Sequence, residues 1–235
     1  MKEELKSFVK QSPFLIRVIR NFRDGKLFKK PYTKSIKGKN NSIEIDASSR
    51  LLNCKIDIVG NSNKISIKEE SILNNVVIFI RGNQNNIVLS KEVKFNRAGE
   101  LWIEDDHCEL YIGKNSTFED THIAVTEPSS KVTIGADCMF ANAIDVRTGD
   151  SHSIIDILSN KRINYAKNIT IGNHVWVGAH SCILKGGSVA DNSIVATRSV
   201  ITNSFNQTNI IIGGIPAKKI KDNITWDRER IYEKK

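Results

Sequence analysis

The chain has 235 residues, of which 40% are hydrophobic and 26% are charged, as is typical of a soluble globular protein. It contains no run of the roughly 20 apolar residues that a membrane-spanning helix requires, and its first residues lack the apolar segment of a secretory signal, so we expect a cytoplasmic protein. The formal charge of +9 favours an anionic lipid surface or an acidic polymer as partner. Nucleic acid is not expected, because zinc-finger spacing and aromatic RNP patterns are both missing.

Residues 1–32 predict a helix with a basic face. Ser12 suits the N-cap, Pro13 fits the first turn, and Gly25 follows the last apolar residue. The apolar stripe consists of Phe14, Leu15, Val18, Ile19 and Phe22. Two interpretations are open: the helix caps the first coil of the repeats that follow, or it lies on an anionic membrane as a basic amphipathic helix.

Short apolar triplets then recur at a nearly constant spacing. Their starts, at residues 43, 65, 87, 110, 132 and 154, lie 22, 22, 23, 22 and 22 residues apart. Turn clusters such as Gly60-Asn61-Ser62-Asn63 precede them, and Gly and Asn supply the positive φ angles that tight corners require. Alternating β-branched residues between regular corners indicate short strands with one inward face, so the repeats predict a solenoid.

A polar excursion at residues 147–168 interrupts the repeats and contains the run Asp150-Ser151-His152-Ser153. A loop that leaves a rigid scaffold is a common place for functional residues. Histidine suits the removal of a proton from an attacking hydroxyl, because the ordinary pKa of its ring is about 6.5 and one ring nitrogen is free to accept. The second nitrogen needs an acceptor, for which Asp150, Asp145 and a backbone carbonyl are candidates.

From residue 169 the period shortens to six, with an aliphatic residue at every sixth position and a small residue usually after it. The aliphatic positions are Ile171, Val177, Ile183, Val189, Val195 and Ile201. Six residues make one flat strand and a corner, so three such sides close a triangular coil. In that arrangement Ile171 stacks beneath Val189, and Val177 beneath Val195.

The last residues, 221–235, predict a short helical tail. The four cysteines lie far apart without a CxxC pair, so we expect them to be small packed residues. The chain therefore divides into a basic helical segment at 1–32, a repeat domain at 33–220 with its loop, and the tail.

The hexads resemble those of the hexapeptide-repeat acyltransferase superfamily, and the resemblance covers about residues 36–220. It implies an all-β fold, a left-handed parallel β-helix with a capping helix and a protruding active-site loop, assembled as a homotrimer. The left-handed sense comes from the resemblance alone, because strand crossovers are otherwise right-handed. Coils of 22 residues exceed three hexads, which implies enlarged corners.

The loop sequence TGDSHSIID, followed by NHVWVGAHSCILKG, resembles sugar O-acetyltransferases of this superfamily, especially the bacterial capsular polysialic acid O-acetyltransferases. The resemblance implies that His152 is the general base and that Trp176 lines the site. From the loop sequence itself we add Asp150 as the second expected catalytic residue. It implies acetyl-CoA as the donor, no metal, and a sugar hydroxyl of a capsule or lipopolysaccharide as the acceptor. An anionic glycan suits the basic chain, and so does a position at the inner face of the membrane.

The same resemblance places coenzyme A along small residues of the hexads, in a groove between subunits. Gly178, Ala179, Ala196 and Thr197 occupy such positions. The stretch Gly213-Gly214-Ile215-Pro216-Ala217-Lys218 resembles the terminal GxPAK element of the family, which implies that Lys218 contacts a coenzyme phosphate, with Lys219 as a substitute.

Three other functions are open. The first is N-acetylation of an amino sugar nucleotide, a reaction of sibling enzymes with the same fold and base. The second is a catalytically silent scaffold that binds a glycan, since fold does not settle function. The third is a zinc carbonic anhydrase, which needs three converging histidines and is disfavoured because His174 and His180 lie on successive sides of one coil.

Overall fold

The structure is a computed structural model that describes residues 32–232, and these residues form 25 strands and no helix. None of the described residues forms a helix of the length and hydrophobicity needed to cross a membrane. The strands are β1 (Tyr32–Lys37), β2 (Ser42–Ile45), β3 (Arg50–Leu52), β4 (Cys54–Val59), β5 (Lys64–Ile67), β6 (Ile72–Asn74), β7 (Val76–Arg81), β8 (Asn86–Leu89), β9 (Lys94–Glu104), β10 (Glu109–Ile112), β11 (Thr117–Val125), β12 (Lys131–Ile134), β13 (Met139–Phe140), β14 (Ile144–Arg147), β15 (Ile155–Asp156), β16 (Lys161–Arg162), β17 (Ile169–Ile171), β18 (Trp176–Val177), β19 (Cys182–Leu184), β20 (Ser188–Val189), β21 (Ile194–Val195), β22 (Val200–Ile201), β23 (Ser204–Phe205), β24 (Ile211–Gly214) and β25 (Ala217–Lys221).

Apart from β15, β16 and β25, the strands form three faces of one parallel solenoid of about eight coils, in which each strand pairs with the equivalent strand of the next coil. The first face contains β2, β5, β8, β10, β12, β17, β20 and β23. The second contains β3, β6, the beginnings of β9 and β11, then β13, β18, β21 and β24. The third contains β1, β4, β7, the ends of β9 and β11, then β14, β19 and β22. The predicted all-β, left-handed β-helix is thereby confirmed.

The hexad positions form the core of the later coils. All six predicted aliphatic residues are buried, and Ile171 pairs with Val189 while Val177 pairs with Val195, as the spacing predicts. Parallel pairing satisfies the backbone groups of each coil through its neighbours, so the side chains of the interior need only be apolar.

Five of the six apolar triplets stack in register on the first face, but the sixth prediction is wrong. Ile43 pairs with Ile65, and the same pairing continues from coil to coil through Ile87 and Leu110 to Val132. The partner of Val132 is Ile169, whereas Ile154 is 54% exposed and lies outside the solenoid. The triplet at 154 has the right spacing by coincidence, because the inserted loop begins where the next first-face strand is due.

Asparagines hold the enlarged corners between the third and first faces. Asn63 donates to the side-chain oxygen of Asn41 through its backbone N–H at 3.0 Å, and Asn85 does the same to Asn63 at 3.0 Å. The preceding glycines, Gly60 and Gly82, have φ angles of 137° and 145°. The predicted corner role of Gly and Asn is confirmed, since each asparagine caps backbone groups that the wide turn would otherwise leave unbonded.

Aromatic and cysteine side chains fill part of the interior of the solenoid. Phe95, Phe118 and Phe140 stack with centroid separations of 4.5 and 4.7 Å. Burial raises the pKa of the Cys108 and Cys138 thiols to about 11, so both remain neutral. All four cysteines are free, and three are buried, in agreement with the predicted packing role.

The helix predictions for the two ends of the chain have different outcomes. The helix predicted for residues 1–32 lies almost entirely outside the described residues. The tail prediction is wrong for 221–232, which contain no helix. Instead β25 folds back antiparallel on β24, with Lys218 opposite Gly213, and the chain then returns along the solenoid.

We predict that Gly82→Ala destabilises the protein more than Gly214→Ala does. Both glycines have positive φ, but a Cβ at Gly82 would lie 1.9 Å from the Asp105 carbonyl oxygen, whereas a Cβ at Gly214 would come no closer than 3.4 Å to Pro216. The Gly214 variant measures backbone strain alone, about 1–3 kcal/mol, and the Gly82 variant adds a collision between coils. Urea unfolding of both variants tests this, and equal midpoints would contradict it.

Candidate active site

The loop between β14 and β17 projects from the corner that joins the third face to the first. It contains β15 and β16 as an antiparallel hairpin, with Ile155 opposite Arg162. At the tip of the hairpin, Ile157 and Leu158 are 93% and 96% exposed. The predicted excursion therefore exists, and it has a strand pair of its own.

Asn164 anchors the base of this loop and is almost fully buried. Its amide nitrogen donates to the Asp150 carboxylate at 2.8 Å and to the His152 carbonyl oxygen at 2.7 Å. Its amide oxygen accepts from the Ile154 backbone N–H at 2.7 Å and from Arg162 Nε at 3.1 Å. One side chain thus bonds the backbone at His152 and at Ile154 and holds the main chain that carries the His152 ring.

Asp150 also contributes to this anchor. Its carboxylate accepts hydrogen bonds from Lys185 and Asn164, and its backbone carbonyl accepts the His152 N–H at 2.8 Å. The Lys185 ammonium, more than any other group, holds the pKa of Asp150 below its ordinary value. The residue is therefore a carboxylate fixed beside His152, while its predicted catalytic contribution remains a prediction.

The other candidate acceptor, Asp145, is bonded to a different histidine. It accepts from His122 Nδ1 at 3.0 Å and from Arg147 Nε at 2.7 Å. Burial raises the pKa of Asp145, but the hydrogen bonds from His122 and Arg147 outweigh burial, and the net pKa is lowered. Sequence reasoning missed this pair because the two residues lie on different coils, 23 positions apart.

His152 is exposed, and within residues 32–232 the structure gives its ring no hydrogen-bond partner. Only its backbone groups are bonded, through Asp150 and Asn164. The imidazole is therefore held by its main chain and remains accessible to an incoming hydroxyl.

Trp176 lies on β18 of the second face and is 37% exposed. The segment after β25 runs back along the solenoid and brings Trp226 next to Trp176, with 6.2 Å between the centroids of the two rings. Trp226 stacks on His174 at 4.2 Å and donates from its indole nitrogen to the His174 carbonyl at 2.8 Å. Sequence reasoning missed this support; a lone tryptophan in a polar tail was the available signal for a packed segment.

The predicted coenzyme residues Gly178, Ala179, Ala196 and Thr197 meet at the corner between the second and third faces. A Cβ at Gly178 would lie 2.6 Å from the Thr197 backbone nitrogen, so packing of the coils by itself requires glycine there. Lys218 is exposed on β25, opposite Gly213, which lies next to Ala196. The structure brings these residues to one corner, and their role in coenzyme binding stays a prediction.

Among residues 32–232, no three histidine, cysteine or acidic side chains converge in a way that could hold a metal ion. His174 and His180 lie at successive corners of one coil, both with positive φ. His174 Nδ1 is 2.8 Å from the Asp137 carboxylate and its ring stacks on Trp226, so its contacts are those of a packing residue.

The known proteins to which this chain is similar include polysialic acid O-acetyltransferases. No family model matches the sequence. Among curated proteins, the chain is similar to a polysialic acid O-acetyltransferase of Neisseria meningitidis, with 33% identity over 125 residues that cover 53% of this chain and 58% of the relative. The chain therefore matches just over half the length of that curated relative.

Two solved structures extend the likeness to nearly the whole described chain. The polysialic acid O-acetyltransferase OatWY matches with a TM-score of 0.78 and 31% identity, over 86% of this chain and 94% of that one. The polysialic acid-specific acetyltransferase NeuO matches with a TM-score of 0.77 and 31% identity, over 86% of this chain and 92% of that one.

We predict that Asn164→Ala makes the loop at residues 151–163 at least ~10-fold more sensitive to protease. The substitution removes buried hydrogen bonds, each with a net value of about 1 kcal/mol, from an otherwise exposed segment. Ser159→Ala is the matched control, because the Ser159 hydroxyl donates to Asp156 at the hairpin tip, at 2.6 Å, and to no other group in the part of the chain that the structure describes. Limited proteolysis followed by mass spectrometry measures both variants, and equal cleavage rates would contradict the anchoring role.

Proposed function

The chain belongs to the hexapeptide-repeat acetyltransferases, and from this membership we propose that it transfers an acetyl group from acetyl-CoA to a sugar hydroxyl of a bacterial surface polysaccharide. The observation that carries the proposal is the match to two polysialic acid O-acetyltransferase structures over more than nine-tenths of their length. The accessible imidazole of His152, fixed on a loop that those repeats frame, supports the same chemistry.

The proposed reaction is a direct transfer. The neutral ring of His152 accepts the proton of the sugar hydroxyl as the oxygen attacks the thioester carbonyl. The new C–O bond forms, the C–S bond breaks, and the proton passes from the imidazolium to the departing thiolate of coenzyme A. A thioester is already activated, so neither a metal nor a covalent enzyme intermediate is required, and the enzyme contributes position and proton transfer.

The backbone bonds of Asn164 support this role, because a general base must stand within hydrogen-bond reach of the proton it removes. The Asp150 carboxylate is paired with Lys185 and bonded to Asn164, and its backbone carbonyl accepts the His152 N–H. We infer that the contribution of Asp150 is to position the main chain that carries His152.

We further propose that the enzyme is a trimer in which two chains build each site. His152 projects from the corner between the third and first faces, whereas the coenzyme candidates lie at the corner between the second and third faces. One chain therefore presents its loop and its small-residue corner in different directions. Three-fold packing would place the loop of one subunit against Trp176, Ala196 and Lys218 of the next.

The acceptor is proposed to be an anionic capsule or lipopolysaccharide chain, since the relatives are named for polysialic acid and this chain carries a formal charge of +9. Acetyl-CoA is made in the cytoplasm, so we place the reaction there, with contact to anionic membrane as a further proposal. N-acetylation of an amino sugar nucleotide is the second candidate, because the same base would serve an amine.

We predict that His152→Ala lowers acetyl transfer at least ~10²-fold while leaving the unfolding midpoint unchanged, because only the proton acceptor is removed. The assay follows labelled acetyl-CoA with a panel of acidic and neutral polysaccharides and amino sugar nucleotides. Release of the label by mild base distinguishes an ester from an amide. His107→Asn, at an exposed corner two coils below the loop, is the control. Near-normal transfer by the alanine variant would remove His152 as the base.

We predict that sedimentation of the purified protein gives the mass of three chains. A trimer is required if the loop and the coenzyme corner of different subunits form one site. In mixed trimers, an inactive His152→Ala chain and an inactive chain altered at the coenzyme corner should restore part of the activity. An active monomer would contradict the shared site.

A further inference from the structure

A column of outward side chains on the third face leads towards the loop. The parallel register aligns Phe79 with Trp102, Trp102 with Ala124, and Ala124 with Arg147, one coil apart at each step. These positions point away from the core, because inward residues such as Ile103 and Ile123 alternate with them and are fully buried. Phe79, Trp102 and Arg147 are partly exposed, whereas Ala124 is 7% exposed because its short side chain lies between longer neighbours, and none of the four takes part in the proposed proton transfer.

The lower half of this column is a supported aromatic stack. The rings of Phe79 and Trp102 lie 3.9 Å apart at an angle of 22°. The Arg81 guanidinium carbon lies 3.7 Å from the centroid of the Phe79 ring, and Asp57 holds that guanidinium at 3.1 Å. One side of Trp102 is therefore covered by Phe79, and its other side is turned towards the coil of Ala124.

Ala124 leaves a slot above Trp102. Consecutive coils are about 4.8 Å apart, so Trp102 and Arg147 are separated by about 9.6 Å along the axis, with only a methyl group between them. That separation accommodates one ring with ordinary contacts on both sides. The residues that line the resulting cavity of about 260 Å³ include Glu100, Trp102, Glu104, Ala124, Arg147 and Ser151. It is smaller than the roughly 300–1,000 Å³ of sites for drug-sized ligands, which suits a single sugar ring rather than coenzyme A.

The polar groups of the slot are positioned for a sugar with an acid group. Arg147 is bonded to Asp145 through Nε, and within residues 32–232 its two terminal nitrogens have no hydrogen-bond partner. Glu100 lies 3.8 Å from His122 Nε2, and Glu104 lines the same cavity. Carboxylates of this kind accept hydrogen bonds from sugar hydroxyls, and a guanidinium binds a carboxylate.

We propose that the slot formed by Trp102, Ala124 and Arg147 binds one pyranose ring of an acidic acceptor glycan, with the ring against Trp102 and its carboxylate on Arg147. The inference rests on the proposed function and adds a second binding position for the same polymer. Ser151 lines the slot and directly precedes His152, so the bound ring belongs to a sugar unit near the one that is acetylated. The slot thereby selects a chain over a single sugar.

The test measures binding directly, without acetyl-CoA. Oligomers of sialic acid from one to six units are titrated into the full-length protein and into Ala124→Leu, which fills the slot. Ala124→Ser leaves the slot open at the same position. Thr133→Leu places an equal side chain outward on the first face, one strand later, where no slot exists.

We expect Ala124→Leu to raise the Kd of the longer oligomers at least ~10-fold, with little change for Ala124→Ser and Thr133→Leu. Arg147→Gln should reduce the preference for sialic acid oligomers over maltohexaose, a neutral chain of the same length. Unchanged binding to Ala124→Leu, or equal affinity of the unaltered protein for the two hexamers, would overturn the proposal.

Two further measurements keep the outcomes separate. Thermal unfolding checks that each variant is folded, and sedimentation checks its assembly. Loss of the oligomeric state by Ala124→Leu would assign the slot to a subunit contact and overturn the proposal. Binding of the oligomers is measured separately from acetyl transfer. A protein that binds them through the slot but transfers no acetyl group would contradict the proposed function alone. An active enzyme whose oligomer binding is unchanged by Ala124→Leu would contradict the slot alone.

Discussion

The register between successive coils is the constraint on which the rest of this structure depends. Each strand is hydrogen-bonded to the equivalent strands of the coils before and after it. Residues at equivalent positions of successive coils therefore point the same way, either inward or outward. The inward columns become the core, and the outward columns become ordered surfaces. The alignment of Trp102, Ala124 and Arg147 is a direct result, although these residues lie more than 20 positions apart in sequence.

The proposed site lies on a loop that interrupts this register. The loop leaves after β14, and the chain must re-enter so that Ile169 meets Val132. Both ends are thus fixed by the solenoid, while Asn164, Asp150 and Lys185 hold the interior of the loop by side-chain bonds. A rigid frame with a short, internally bonded excursion gives the His152 main chain a defined position without burying the ring, as the proposed role of general base requires.

The fold was predictable from the sequence because its signal is repetitive and local. Every sixth position from Ile171 to Ile201 is buried, and the glycine and asparagine corners lie where the turn clusters indicate them. The triplet at Ile154 failed because spacing alone cannot distinguish a strand from a loop of similar composition. The anchor Asn164, the pair formed by His122 and Asp145, and the support of Trp176 by Trp226 were not predictable, since each joins segments with no common pattern.

The assignment of the coenzyme corner illustrates a related limit. Small residues at Gly178 and Ala196 have a reason in coil packing as well as one in ligand binding, because a larger residue at Gly178 would meet the backbone of Thr197. Residue type therefore does not separate the two explanations there. The proposed coenzyme role rests instead on position, because the corner that carries these residues also lies next to the hairpin with Lys218, whereas His152 lies at another corner.

Stacked coils also make this protein's length change in whole steps. Removing or duplicating one complete turn of the helix, as between Gly60 and Gly82, preserves every inward column and both neighbouring corners. The outward surface would then shorten or lengthen by about 4.8 Å, while the loop that carries His152 stays the same. If that surface binds a polymer as proposed, the length of the contact can change by whole coils without any change to the loop.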